Sequence, residues 1–120
     1  HQEKIIKFCD KKGIRIIAFY IIGLENDNRE SIMKTIKYAK KLNTDFANFT
    51  LCTPIPGTEY YEQIKDRIYE ENLENFDNFH PVFKHKNLSA DELCKFQEKA
   101  IVSYYIRPAF ILKHLVRKFR

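Results

Sequence analysis

Two short stretches of this sequence carry residue types that ligand chemistry uses: Gly23-Leu24-Glu25-Asn26-Asp27-Asn28 and Thr53-Pro54-Ile55-Pro56-Gly57-Thr58. Gly23 has no Cβ, so a flat ligand could reach its backbone; the same residue serves equally well as a turn glycine. Asp27 with Glu30 outlines a helix capping box, and Asn28 is an alternative cap. Capping is the simpler role for Asp27 than acid catalysis. A helix starting there could hold an anionic group, yet the chain has neither Gly-x-Gly-x-x-Gly nor a Walker lysine. In the second stretch Pro54 and Pro56 stiffen the backbone, and Gly57 permits a positive φ before Thr58 caps a short helix. Such a rigid loop suits the wall of a binding site, or a plain connector from strand to helix.

Other reactive side chains are scattered. His80 and His85 flank Pro81-Val82-Phe83-Lys84. They could form a metal pair, but no cysteine lies nearby and no carboxylate lies between them. Cys9, Cys52 and Cys94 are far apart and form no Cys-x-x-Cys, which argues against a disulfide framework or a local zinc site and makes a reducing cytoplasm the expected compartment. No Ser/His/Asp set can be assembled. Tyr104-Tyr105 reads as core and rim rather than a stacking platform, and His114 as a surface residue. No residue is assigned as catalytic or as a metal ligand.

The two stretches gain meaning from the elements before them. Arg15 to Ile22 is β-branched and aromatic along most of its length, and Phe46 to Cys52 is a second strand pattern. Between them Asn28 to Lys41 repeats apolar residues at Ile32, Ile36 and Ala39, continued by Leu42, with lysines on the wet side. Strand, helix, strand is a βαβ unit, with the strands parallel and the crossover right-handed. Ligands of such sheets gather at the carboxyl ends of the strands, where both unusual stretches fall. A first strand apolar on both faces predicts cover on both faces and neighbours on both edges. Two strands cannot supply that, so further strands are expected from sequence outside this chain; the alternative is a small self-contained α+β domain.

The remaining elements follow in order. Gln2 to Lys12 is helical, stopped by Gly13. Its own preceding strand is not in the chain, and the lack of an initiating Met also suggests a fragment. Glu59 to about Tyr69 is a helix with Tyr60, Tyr61, Ile64 and Ile68 inward. Glu70 to Asn87 is acidic and Asn-rich and reads as a surface connection with an extended piece at Pro81 to Lys84. Ser89 with Glu92 is a capping box opening a helix to about Ile106, its buried side Leu93, Phe96, Ala100, Ile101 and Tyr104. Pro108 breaks it, and Ala109 to Phe119 forms the last helix. The expected organisation is residues 1–69 as one sheet-bearing unit, 70–88 as connection and 89–120 as a helical extension.

Bulk properties exclude little. The chain has 120 residues and a net charge of +5, enough for one core. No apolar run reaches the roughly 18 residues of a membrane span, and no leader pattern opens the chain. From Lys99 onward every charged side chain is basic. That tail could belong to a small interaction module that binds nucleic acid or an anionic membrane, or it could be a solvated face docked on the rest of the protein.

Taken together, the quoted residues resemble a known family. Phe19-Tyr20-Ile21-Ile22-Gly23-Leu24, Asp27, Glu30-Ser31-Ile32, Thr35-Ile36 and Ala39-Lys40 look like the fifth strand and following helix of radical S-adenosylmethionine enzymes. The likeness is nearest to the branch associated with a cobalamin-binding domain. Asp45-Phe46-Ala47, Phe49 and Thr53-Pro54-Ile55-Pro56-Gly57-Thr58 with Tyr61 resemble the sixth strand and its turn. Leu88-Ser89, Glu92-Leu93, Ala100 and Tyr105-Ile106-Arg107-Pro108 resemble the C-terminal tail. The Pro-Gly-Glu-Thr turn of that branch is here Glu25-Asn26-Asp27-Asn28, with Asp27 standing for the acid.

The resemblance implies an α/β fold: the C-terminal part of a partial (β/α) barrel, carrying its last two parallel strands and a helical tail. It implies a 4Fe–4S cluster whose Cys-x-x-x-Cys-x-x-Cys ligands lie outside this chain. The cluster would cleave S-adenosylmethionine reductively to a 5′-deoxyadenosyl radical that abstracts hydrogen from a small-molecule substrate. Within the branch the outcome is methylation or ring formation with cobalamin. By position, Ile21 and Gly23 would pack near the adenosine, with Leu51 and Thr53 on the other side. Asp27 would fix the first turn, and Pro54, Pro56 and Gly57 would shape the second. The partner would be the remainder of its own full-length chain, with no specific nucleic acid, and the isolated chain would be inactive.

Overall fold

The computed structural model describes residues 1–118; Phe119, expected to end the last helix, and Arg120 lie outside the described residues. Strand β1 (Ile17–Ile22) and strand β2 (Phe46–Leu51) run parallel, with Ile17 opposite Phe46 and Ile22 opposite Leu51. Helix α2 (Arg29–Leu42) connects them. Helix α1 (Gln2–Lys11) precedes the sheet, and α3 (Glu59–Ile64), α4 (Ala90–Tyr105) and α5 (Pro108–Lys118) come after it.

Side-chain alternation decides how the sheet is covered. Ala18, Tyr20 and Ile22 lie opposite Ala47, Phe49 and Leu51 on one face. That face meets α2 and α4, whose Ile32, Ile36, Ala39, Leu93, Ala100 and Tyr104 complete the core. Tyr20 stacks on Phe49 with centroids 5.2 Å apart. The opposite face carries Ile17, Phe19 and Ile21 beside Phe46, Asn48 and Thr50, and Phe19 is 70% exposed there. The expectation that both faces of the first strand are covered is therefore met on one face only: among the described residues the His114 ring reaches the other face at Phe46 of β2, while Ile17, Phe19 and Ile21 stay exposed.

The two sheet edges differ as sharply. The outer edge of β2 is closed by polar groups. The Tyr105 hydroxyl accepts from the Ala47 N–H at 3.1 Å and donates to the Ala47 carbonyl at 2.7 Å. Gln97 Nε2 donates to the Phe49 carbonyl at 2.9 Å, and the Leu51 N–H donates to the Asn78 carbonyl at 2.8 Å. On β1 the register turns the N–H and C=O groups of Ile17, Phe19 and Ile21 away from β2. Among the described residues no strand takes them up. Removing the Tyr105 hydroxyl tests the closed edge. Tyr105→Phe is expected to destabilise by about 1–3 kcal/mol, the range for leaving buried backbone groups unsatisfied, read as a shift in the urea midpoint at unchanged slope.

Several elements differ in detail from the sequence pattern. The cap of α2 is Asn28, with Ser31 as its box partner rather than Asp27 with Glu30: Asn28 Oδ1 accepts from Ser31 N and Ser31 Oγ from Asn28 N, both at 2.9 Å. The expected Ser89–Glu92 box at α4 is present. The inward stripe of α4 is Leu93, Gln97, Ala100 and Tyr104, while Phe96 is half-buried and Ile101 exposed. Gln97 is inside because the edge carbonyls of β2 need a donor. The helix expected to reach Tyr69 stops at Ile64 and tightens to a 3₁₀ turn over Lys65–Arg67. Ile68 then pairs antiparallel with Phe83. The connection is thus not wholly a surface loop, since Val82 and Phe83 join Ile64 in a second small core.

Candidate functional site

The carboxyl end of β1 turns at Gly23, which is buried with φ +89°. A Cβ there would meet Leu93 Cδ2 at 3.0 Å. The left-handed backbone and the close approach of α4 account for glycine together. Asp27 folds the turn back on the strand end. Its Oδ2 accepts from the N–H groups of Gly23 and Leu24, each at 3.0 Å, and its Oδ1 accepts from the Ser31 hydroxyl at 2.7 Å. With these acceptor positions engaged, Asp27 shapes the backbone and is not placed as a proton carrier.

Residues from the connection grip the same turn. His85 Nδ1 lies 3.1 Å from the Asn87 N–H and therefore accepts from it. Its Nε2 carries the proton and donates to the Leu24 carbonyl at 2.8 Å. Asn87 Nδ2 donates to the Asp27 carbonyl at 2.9 Å. His80 instead pairs with Asp77 at 2.8 Å. The two histidines thus serve separate hydrogen-bond sets, and among the described residues no three His, Cys, Asp or Glu side chains are grouped to hold a metal ion.

Glu25 is the hub that sequence reasoning missed. Its carboxylate pairs with Arg67 Nη2 at 2.7 Å and Lys86 Nζ at 2.9 Å, and it accepts from the Tyr60 hydroxyl at 3.3 Å. The Lys86 contact holds the Glu25 carboxyl below the usual glutamate range; burial opposes it, and the Arg67 pair adds to the lowering. A carboxyl whose folded pKa is lowered contributes its stabilisation above the unfolded value and loses it as pH falls through the folded value. The grip on the turn should therefore hold at neutral pH and weaken below about pH 4. Comparing melting temperatures of the protein and Glu25→Gln from pH 7 to pH 3 reads this directly: the gap between them closes in acid. Only the place of Glu25, where the resembling turn has proline, marked it in the sequence; its cationic partners lie far along the chain.

The second loop begins where β2 ends. Thr53 Oγ1 donates to the Leu51 carbonyl at 3.2 Å, and Pro54 is fully buried. Gly57 has φ +92° with open space where a Cβ would be. Thr58 caps α3 by accepting from the Tyr61 N–H at 3.2 Å. Between the loops lies a cleft of ≈ 560 Å³, lined by Leu24, Glu25, Asn26, Asp27, Cys52 and Tyr60. Burial pushes the Cys52 thiol and the Tyr60 phenol up, so both stay protonated at neutral pH and Cys52 is a poor nucleophile.

The four residues expected to face a cofactor do not share one surface. Ile21 is on the open face of the sheet, 49% exposed, and lies opposite Thr50 in the register. Leu51 is turned to the helix-covered face and buried in the core. Gly23 and Thr53 follow the two strand ends. The side chain beside Ile21 is thus Thr50, a residue that strand alternation alone could have selected.

No family model matches the chain. Over 112 residues it is 34% identical to an uncharacterized methyltransferase of Pyrococcus horikoshii, covering 92% of this chain and 24% of that protein. Over 93 residues it is 31% identical to bacteriochlorophyllide d C-12(1)-methyltransferase of Chlorobaculum tepidum, covering 78% of this chain and 20% of that one. Over 110 residues it is 26% identical to the anaerobic magnesium-protoporphyrin IX monomethyl ester cyclase of Rubrivivax gelatinosus, covering 92% and 20%. The chain spans about a quarter or less of the length of these curated relatives.

Proposed function

The chain belongs to the radical S-adenosylmethionine enzymes, in their cobalamin-associated branch, and from that premise we propose that it supplies the last two strands of a partial (β/α) barrel and one wall of the S-adenosylmethionine site. The observation that carries the proposal is the asymmetry of the sheet. The edge of β2 is closed by Tyr105, Gln97 and Asn78, whereas β1 offers a free edge and an apolar open face. A terminal strand of a barrel needs the first arrangement, and its inner neighbour needs the second.

The residues fit an adenosine. Ile21 leaves a branched apolar surface on the open face at the strand's carboxyl end, and the Thr50 hydroxyl stands beside it. A purine can lie flat against the first, and the second, which donates to the Tyr20 carbonyl at 3.4 Å, can accept from its amino edge. Asp27 holds the Gly23 and Leu24 amides in place, so the backbone beside the ligand is set before binding. Leu51 acts from the core, through its carbonyl's contact with Thr53. When bound, the 4Fe–4S cluster supplies the electron that cleaves the sulfonium C–S bond and so starts hydrogen abstraction. Cys9, Cys52 and Cys94 do not stand at Cys-x-x-x-Cys-x-x-Cys spacing, which supports assigning the cluster ligands to sequence outside this chain. Methylation or ring closure on a small-molecule substrate is the reaction class proposed from the relatives, with cobalamin entering through the branch and no residue here assigned to it.

The test is the native reading frame upstream of His1. A Cys-x-x-x-Cys-x-x-Cys following a strand pattern is expected there. A frame without any such cluster would sink the assignment.

A further inference from the structure

We propose that the outward face of α5 docks onto an anionic lipid surface. The helix is mounted with its cations inside. Lys113 Nζ donates to the Asn43 carbonyl at 2.6 Å and pairs with Asp10 at 3.3 Å. Arg117 bridges Asp10 and Asp45. His114 Nε2 donates to the Asp45 carbonyl at 3.0 Å, and Phe110 packs edge-on against Tyr105. These inward positions recur at helical spacing, 110, 113, 114 and 117. The basic face expected from the sequence to meet phosphates is therefore engaged with the protein's own acids and carbonyls.

The residues left outside are apolar. Ile111, Leu112, Leu115 and Val116 are 46–62% exposed and form one continuous side of the helix, about 9 Å long at 1.5 Å per residue. An apolar strip of this kind marks an interaction surface rather than ordinary solvent exposure. Its borders are cationic. Lys118 flanks one side, and Lys11 flanks the other across the groove it lines with Ala109, Leu112 and Val116. Helix α5 carries no acid, and the nearby Asp10 is taken by Lys113 and Arg117. Among the described residues, the flanking charges of this apolar ridge not engaged in ion pairs are the lysines Lys11 and Lys118, which complement the acyl boundary of a bilayer beneath anionic headgroups.

The test uses the protein encoded by the whole native gene, sedimented with phosphatidylcholine vesicles with and without phosphatidylglycerol. Binding to the anionic vesicles is expected. Leu112→Glu with Leu115→Glu should reduce it by about tenfold or more, while Lys11→Glu with Lys118→Glu should remove the preference for anionic lipid. All four positions project from the fold, and unchanged melting curves show that the variants are folded. Failure to bind anionic vesicles overturns the proposal, as does binding that survives the Leu112→Glu, Leu115→Glu pair. A lipid-independent dimer abolished by that pair also overturns it and gives the face to a second copy of the chain.

Discussion

Replacing Arg117 with alanine is expected to destabilise the protein by about 3–5 kcal/mol, the range for removing one partner of a buried ion pair. Asp45 is buried at the start of β2, and its Oδ2 accepts from the Ile16 N–H at 2.7 Å. One carboxylate therefore holds the amino-terminal ends of both strands. The Arg117 guanidinium is its counter-charge and also reaches Asp10 on α1. Without it Asp45 is left buried with a backbone donor and no guanidinium beside it. Arg117→Lys should recover only part of the loss, because an ammonium cannot serve two carboxylates with the fixed fork of a guanidinium. Urea denaturation followed by circular dichroism measures both. A loss under about 1 kcal/mol would place the pair among exposed salt bridges and would mean that other contacts hold α5 to the fold.

Gly23→Ala should cost about 2–5 kcal/mol, from two separable causes. An L-residue at φ +89° carries backbone strain of about 1–2 kcal/mol. The new methyl would also meet Leu93 Cδ2 at 3.0 Å, and overpacking a core adds about 1–3 kcal/mol. Gly57 provides the control. It has φ +92° with nothing within 4 Å of its missing Cβ, so Gly57→Ala should show the strain without the clash. A double-mutant cycle of Gly23→Ala with Leu93→Ala then isolates the steric part. Equal losses at Gly23 and Gly57 would show that Leu93 yields freely and that α4 does not press on the strand end.

The parts legible in the sequence were those fixed by local pattern. Ile32, Ile36 and Ala39 recur at helical spacing, and they are the buried face of α2. Ser89 and Glu92 stand three apart and make the cap of α4. The parallel pairing of the two strands followed from a single intervening helix. The hidden parts depend on residues distant in the chain. Gln97 looks like a surface residue until the carbonyls of Phe49 and Asn78 are placed beside it. Lys113 and Arg117 look solvated until Asp10 and Asp45 are brought under α5. Glu25 has no local partner at all; Arg67 and Lys86 reach it only because the Ile68–Phe83 bridge folds the connection back. At the candidate site, the resemblance placed Leu51 with Thr53 across from Ile21, while the register puts Thr50 opposite Ile21 and Leu51 in the core. Strand ends identify a region, but only the pairing register identifies the face.

The most direct measurement is product analysis on the whole native protein, purified without oxygen, reconstituted with iron and sulfide, and incubated with S-adenosylmethionine and a strong reductant. The expected products are 5′-deoxyadenosine and methionine in equal amounts, dependent on iron and on the reductant. Cluster-loaded protein that leaves S-adenosylmethionine intact would contradict the assignment to a radical enzyme.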